Sequence, residues 1–160
     1  MLGAIVGDYL GSPYEGTKGK RFIFPLFSKK CRFTDDTILT VATAYSILTG
    51  LPYKDSYKKF AQDNISVGYG ARFKDWALNF DEPYNSYGNG SAMRVSPIGW
   101  AYNDEAKVLE EARKSAMCTH NHPEGIKGAQ ATAFTIFLAR NGHTKKQILN
   151  IINKMFGYDI

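Results

Sequence analysis

Thr34-Asp35-Asp36-Thr37 sets two adjacent carboxylates between two hydroxyls. Hard oxygen donors in this arrangement suit magnesium, manganese or calcium. They also suit a helix start, where hydroxyls and carboxylates cap free amides and acids complement the positive end of the dipole. On residue type alone both readings stand, and capping is the commoner one. Glu15 follows Ser12-Pro13, and the proline ends a helix or opens a turn, so this acid belongs in a loop. Its spacing favours exposure and function equally. Asp8 reads as a polar partner at a helix crossing. Further on, Gly88-Asn89-Gly90 lies in a run of turn formers, 81–94, that leads into a helix. It is either an ordinary Asn-Gly turn or a loop whose amides approach a diphosphate unobstructed by side chains. His120 and His122 have no third nitrogen or sulfur ligand at a matching spacing, so zinc is not expected. One of them contacting a ligand or the acids of a metal site is the better reading.

The elements that must position these residues are helical. In 33–50 the apolar residues Ile38, Val41, Ala42, Tyr45 and Leu48 recur at three and four, which predicts a helix burying that face and ending at Gly50 and Pro52. A first helix spans Leu2 to Leu10. Its Gly3, Gly7 and Gly11 fall on one face and imply close approach of another backbone, because each costs up to about 1 kcal/mol of helix propensity. Asp55 is expected to cap a helix to about Ile65 with Tyr57, Phe60, Ala61 and Asn64 on one side, and a short helix follows over Ala71 to Asn79. Asp104 to Met117 has Ala106, Leu109, Ala112 and Ala116 inward, and Glu110, Glu111, Arg113 and Lys114 outward. Pro123 opens the next helix, whose Gly125, Gly128, Ala129, Ala131 and Ala133 offer a small-residue surface. The last helix has a capping box, Thr144 with Gln147, an apolar face of Ile148, Ile151, Ile152, Met155 and Phe156, and a stop at Gly157. No segment alternates with a period of two and nothing repeats, so the fold class is all-α.

The 160 residues, 44% hydrophobic and 14% aromatic, are enough for one domain with a real core. Twenty bases against fifteen acids suit an anionic ligand, but the excess is too small to mark a nucleic-acid protein. Lys18, Lys20, Arg21, Lys29, Lys30 and Arg32 crowd one connection, with Phe22-Ile23-Phe24-Pro25-Leu26-Phe27 at its centre. That is long enough for a binding lid, although a buried aromatic turn would read the same. Cys31 and Cys118 lack metal or scaffold spacing, and the amino terminus lacks the pattern of a signal peptide or membrane span. A soluble, cytoplasmic protein is expected.

Taken in order, Gly3-Ala4-Ile5-Val6-Gly7-Asp8, Pro13-Tyr14-Glu15, Thr34-Asp35-Asp36-Thr37, Gly88-Asn89-Gly90-Ser91-Ala92-Met93-Arg94 and Thr119-His120-Asn121-His122-Pro123-Glu124-Gly125 resemble the ADP-ribosylglycohydrolase family. The resemblance runs over almost the whole chain. It implies a single all-α orthogonal bundle over 1–160 that removes ADP-ribose from a modified side chain or small molecule with Mg2+ or Mn2+, as one ion or two. Carried over by position, Thr34, Asp35 and Asp36 look like metal ligands and Glu15 like the acid beside the anomeric carbon. Ser86, Tyr87, Gly88, Asn89, Gly90 and Ser91 match the diphosphate and ribose loop, and His120 matches a ligand contact. The family's second acidic motif, Gly-Asp-x-Asp-Thr, has no counterpart, since the chain contains no Asp-x-Asp. The resemblance therefore implies an incomplete metal centre and a truncated bundle, whose missing half comes from a second chain, from an oligomer partner, or was lost to truncation. The alternatives are a non-catalytic ADP-ribose-binding module and a structural remnant that exposes an apolar surface.

Overall fold

A computed structural model describes residues 1–16 and 25–159. The basic residues Lys18, Lys20 and Arg21 and the aromatic run Phe22-Ile23-Phe24 lie outside the described residues. Those described form nine α-helices and no strand: α1 (Leu2–Gly11), α2 (Asp35–Thr49), α3 (Tyr53–Asp63), α4 (Ala71–Asn79), α5 (Gly90–Met93), α6 (Ser96–Ala101), α7 (Glu105–Met117), α8 (Pro123–Arg140) and α9 (Lys145–Phe156). A 3-10 turn, Ser12–Tyr14, follows α1. The all-α expectation holds.

Local chemistry sets most boundaries. The Thr34 hydroxyl accepts from the Asp36 amide at the start of α2, and Gly50 closes that helix at φ 75°, a conformation open to a residue without Cβ. The Asp104 carboxylate accepts from the Lys107 amide at 2.7 Å to open α7. Pro123 takes the first position of α8, where its missing N–H is no loss. The Thr144–Gln147 box opens α9 and Gly157 ends it. Helix α3 starts at Tyr53, two residues before the expected Asp55 cap, and Asp55 sits within its first turn.

Two apolar clusters make the core. Val95, Ile98, Val108, Ala112, Ala133, Phe134, Leu138 and Ile152 join α6, α7, α8 and α9. Leu39, Ala42, Tyr57, Ala61, Phe73 and Trp76 join α2, α3 and α4. Small residues allow the closest crossings. A methyl on Gly99 would stand 2.6 Å from the Ala133 carbonyl oxygen, and one on Gly125 would stand 2.6 Å from that of Ser86.

Three sequence expectations are corrected. Helix α2 buries Thr37, Leu39, Thr40, Ala42, Thr43 and Ser46, while Leu48 is 84% exposed and Tyr45 is exposed too. The threonines tolerate burial because their hydroxyls are bonded: Thr43 donates to the Leu39 carbonyl and meets the Tyr57 hydroxyl at 3.0 Å, and Thr40 donates to the Met93 carbonyl. Glu111, expected outward, is buried and accepts from Tyr53 Oη at 2.9 Å, with Lys107 and Lys114 beside it. Burial alone would raise its carboxyl, but the bonds from Lys107, Tyr53 and Lys114 outweigh that and hold it below the usual range. Among the described residues the glycine face of α1 meets no close neighbour: a methyl on Gly3, Gly7 or Gly11 would find none of their atoms within 4 Å. No residue of α1 is buried.

Candidate functional site

The acids come together where α1 meets the start of α2. Asp8, from α1, accepts from Thr34 Oγ1 at 2.6 Å, from the Thr34 amide at 2.9 Å and from the Thr37 amide at 3.2 Å, and also from Thr37 Oγ1. It is the polar partner at a helix crossing that the sequence implies. One carboxylate oxygen of each of Asp8, Glu15 and Asp36 lies within 4.8 Å of the other two. Glu15, just past the 3-10 turn, is exposed, whereas Asp8 and Asp36 are half-buried. A trio of oxygens at this separation suits a hard divalent cation.

Asp35 lines a cleft of about 360 Å³ whose walls also include Arg72, Tyr84, Ser86, Asn89, Arg94 and His120. Its carboxyl is pushed up to about 6 by burial first, then by the charge of Asp36, with Glu15 and Asp8 adding to it against its own backbone bond. Asp36 is raised likewise, by burial and by Asp8, against the Thr34 bond. The acids repel one another, and a cation among them would relieve this.

The opposite wall is a loop tied to the start of α8. The Asn85 amide donates to Asn121 Oδ1 at 2.8 Å and the Ser86 amide to the Thr119 carbonyl at 3.3 Å. Asn85 adopts φ 52°, which asparagine tolerates better than most residues. His120 is 4% exposed. It is gripped from two sides: a methyl on Gly90 would lie 3.0 Å from its Cε1, and one on Gly125 would lie 2.9 Å from its Cβ. Gly90 therefore makes room for the imidazole, a reason that differs from the amide approach read in the sequence. Thr119 Oγ1 stands 2.7 Å from His120 Nδ1. Burial, then the Arg94 charge, bring the imidazole down to about 3, so it is neutral at physiological pH.

Among the site residues expected from sequence, Asp35, Ser86, Asn89, Gly90 and His120 line this cleft, and Glu15, Asp36 and Thr34 gather with Asp8 beside it. Tyr87 turns outward, 73% exposed, with its ring 5.3 Å from that of His122. The Gly88 amide donates back to Ser86 Oγ. The Ser91 hydroxyl is buried and donates to the Gly125 carbonyl at 2.7 Å, joining α5 to α8 rather than facing the cleft. Sequence reasoning missed Arg94. It is fully buried, it lies with Cζ 3.9 Å from the Tyr57 ring centroid, and its Nη2 donates to the Ser115 carbonyl and to Thr119 Oγ1. Its one outward sign in the sequence is a charge within an otherwise small and apolar segment, 91–99.

The all-helical architecture of the described residues agrees with a match to the ADP-ribosylglycohydrolase family model over residues 1–157. The chain belongs to that family. Among curated proteins it is similar to ADP-ribosylhydrolase ARH3 of Homo sapiens, 30% identical over 203 aligned residues that cover 98% of this chain and 54% of that protein. It is also similar to the proteins of that name from Mus musculus, at 29% with 98% and 54% covered, and Xenopus tropicalis, at 29% with 89% and 49% covered. The chain thus spans about half the length of these relatives. No helix among the described residues is long and apolar enough to cross a membrane.

Proposed function

We propose that this chain supplies the ADP-ribose cleft and part of the metal centre of a glycohydrolase. The reaction is hydrolysis of the N- or O-glycosidic bond that joins ADP-ribose to a modified protein side chain or small molecule. The observation that carries the reading is the position of Asp35, which feels the charges of Asp36, Glu15 and Asp8 and lines a cleft with Arg72 and Arg94 in its walls. A ligand with hydroxyls at one end and a diphosphate at the other matches that polarity.

Thr34, Asp35 and Asp36, with Asp8 and Glu15 beside them, are the residues that would hold Mg2+ or Mn2+. The all-oxygen donor set and the mutual repulsion of the carboxyls fit such an ion. When bound, it supplies positive charge for orienting the ribose hydroxyls. Glu15 is exposed and free to approach the anomeric carbon, where a carboxylate manages the proton of water or leaving group around an oxocarbenium-like centre. Ser86, Asn89 and Gly90 form the wall against which the diphosphate rests. Tyr87, Gly88 and Ser91 hold that loop and its junction with α8.

Calorimetric titration of ADP-ribose into the chain, with and without Mg2+ or Mn2+, tests the reading. Metal-dependent binding is expected, and Asp36→Ala should abolish the metal isotherm. Binding that ignores metal would identify a binding module without turnover, and no binding in either condition would overturn the proposal. A hollow of about 560 Å³ lined by Leu2, Ile47, Leu48, Pro97 and Trp100, with Leu48 and Trp100 well exposed, supports a further polypeptide packing there to complete the metal centre. Sedimentation of the chain alone and with its candidate partner measures that association.

A further inference from the structure

The Thr119 hydroxyl is wholly buried and is bonded to two groups, Arg94 Nη2 at 2.9 Å and His120 Nδ1 at 2.7 Å. Guanidinium donates and never accepts, so the single hydrogen of Thr119 does not go to Arg94. If His120 carried its proton on Nδ1, Thr119 would accept from both neighbours and its own O–H would be left buried and unpaired. If Nδ1 is bare, Arg94 Nη2 donates to Thr119 and Thr119 donates to His120, so both shared hydrogens have an acceptor, while Arg94 Nε and Nη1 are buried without a partner among the described residues. The ring hydrogen then belongs to Nε2. That atom lies on the Gly90 side of the ring, 3.1 Å from where a Cβ would stand. It is not one of the sealed, unpartnered side-chain atoms among the described residues, and no bond to it from another described group is seen. It opens on the cleft that His120 lines.

We propose that Arg94 and Thr119 are positioning residues that fix His120 as a neutral imidazole donating its Nε2 hydrogen into the cleft. His120 is then a hydrogen-bond donor to a ligand oxygen and takes no part in proton transfer. A phosphate or ribose oxygen, having free lone pairs, is accepted at this point, whereas a group offering only a donor is refused. Arg94 is itself held in place by the Tyr57 ring and the Ser115 carbonyl, so the relay is anchored in the core and does not depend on bound ligand. The identity of the ligand rests on the ADP-ribose reading above; the tautomer does not.

Correlation spectra of the ring nitrogens in histidine-labelled, ligand-free chain read the tautomer directly. Only three histidines are present, and His120→Asn assigns the signal. The expected result is a neutral Nε2–H ring in the wild type, a mixture of tautomers in Thr119→Val, and restoration in Thr119→Ser. ADP-ribose affinity, measured by calorimetry in the presence of Mg2+, should fall roughly threefold to tenfold in Thr119→Val, as for loss of one hydrogen bond, and return in Thr119→Ser. An Nδ1–H ring in the wild type, or a Thr119→Val ring identical to it, overturns the relay. A changed tautomer with unchanged affinity overturns its positioning role. A wild-type Nε2–H ring in a chain that does not bind ADP-ribose supports the relay and refutes the ligand reading. If Thr119→Val fails to fold, Thr119→Ser against Thr119→Ala supplies the same comparison.

Discussion

Gly125 and Gly128 lie one turn apart on α8, and replacing each by alanine should move stability in opposite directions. A methyl at Gly125 would stand 2.6 Å from the Ser86 carbonyl oxygen, 2.9 Å from His120 Cβ and 3.1 Å from the His120 carbonyl oxygen. Carbon contacts settle near 3.5–4.0 Å, so backbone on both sides must retreat by several tenths of an ångström to about 1 Å. Neither a main-chain carbonyl nor a Cβ swings aside as a long side chain does. The cost falls at the upper end of ordinary overpacking, about 3 kcal/mol, and the helix-propensity gain of up to about 1 kcal/mol offsets only part of it. Net destabilisation of about 2 kcal/mol is expected. At Gly128 the nearest atom is Ala92 Cβ at 4.0 Å, so only the gain remains. The two variants should differ by about 3 kcal/mol, which for a chain of this length is roughly 6–12 °C in Tm. Thermal melts, checked by urea titration, measure the gap. ADP-ribose titration adds a second readout, because Gly125→Ala displaces two cleft residues and Gly128→Ala displaces none. If Gly125→Ala melts at or above Gly128→Ala, α8 does not sit against the 84–90 loop as described and the grip on His120 is not real.

Acid should weaken the fold through His120. Its pKa is about 3 when folded against about 6.5 unfolded, so the unfolded chain binds the extra proton across that window. Stability is fully present above 6.5 and is lost as pH falls, by at most about 1.4 kcal/mol per unit. Asp35, raised to about 6, has the opposite sign, favouring the fold as pH falls through 6 toward 4, so the difference between wild type and His120→Asn isolates the histidine. Equal acid slopes in the two proteins would refute the assignment. Replacing Asn89 with Trp should weaken ADP-ribose binding at least tenfold while leaving the melting curve near wild type, and untouched affinity would remove the loop from the site. Asp8→Ala removes the acceptor of four hydrogen bonds and should cost on the order of 3 kcal/mol; hydrogen exchange in α1 should rise, and unchanged protection there would contradict the anchoring role.

Boundaries were legible wherever a side chain decides the backbone locally. Thr34, Asp104, Pro123, Thr144, Gly50 and Gly157 announce helix ends through caps and φ preferences, and the helices begin or end there. Faces were legible only where the core is apolar. On α2 the apolar rhythm of Ile38, Val41, Ala42, Tyr45 and Leu48 met the core at Ala42 and in part at Ile38, while Tyr45 and Leu48 are exposed, because Thr40 and Thr43 bury hydroxyls that find Met93, Leu39 and Tyr57 as partners in space. A one-dimensional pattern carries no record of such partners. Glu111 was misread for the same reason, since Tyr53 lies 58 positions away. In the site, the acids and the 86–90 loop stood out by type and order. Arg94 and Thr119 did not, as a buried guanidinium held by an aromatic face has no acidic neighbour in sequence to announce it.

The acid trio and the attachment of α1 are one feature. Among the described residues, no side chain of α1 is buried and nothing stands within 4 Å of a methyl placed on its glycine face. Contacts described for this end of the chain include the bonds from Thr34 and Thr37 to Asp8, the Tyr9 ring 5.2 Å from that of Phe33, and the Arg32 amide donating to Ser12 Oγ at 2.9 Å. Asp8 thus joins α1 to α2 through the same carboxylate that stands within reach of Glu15 and Asp36. A cation at this point would neutralise the repulsion that Asp35 and Asp36 feel from Asp8 and would draw Glu15, at the far end of the 3-10 turn, toward α2. Metal binding and the seating of α1 are therefore expected to rise and fall together, because anything that binds only the seated arrangement stabilises it by mass action. The exposed face of α1 adjoins the apolar hollow at Leu2, Leu48 and Trp100. A polypeptide packed there would seat α1 by burial instead of by charge, which couples that surface to the acid trio through a single helix.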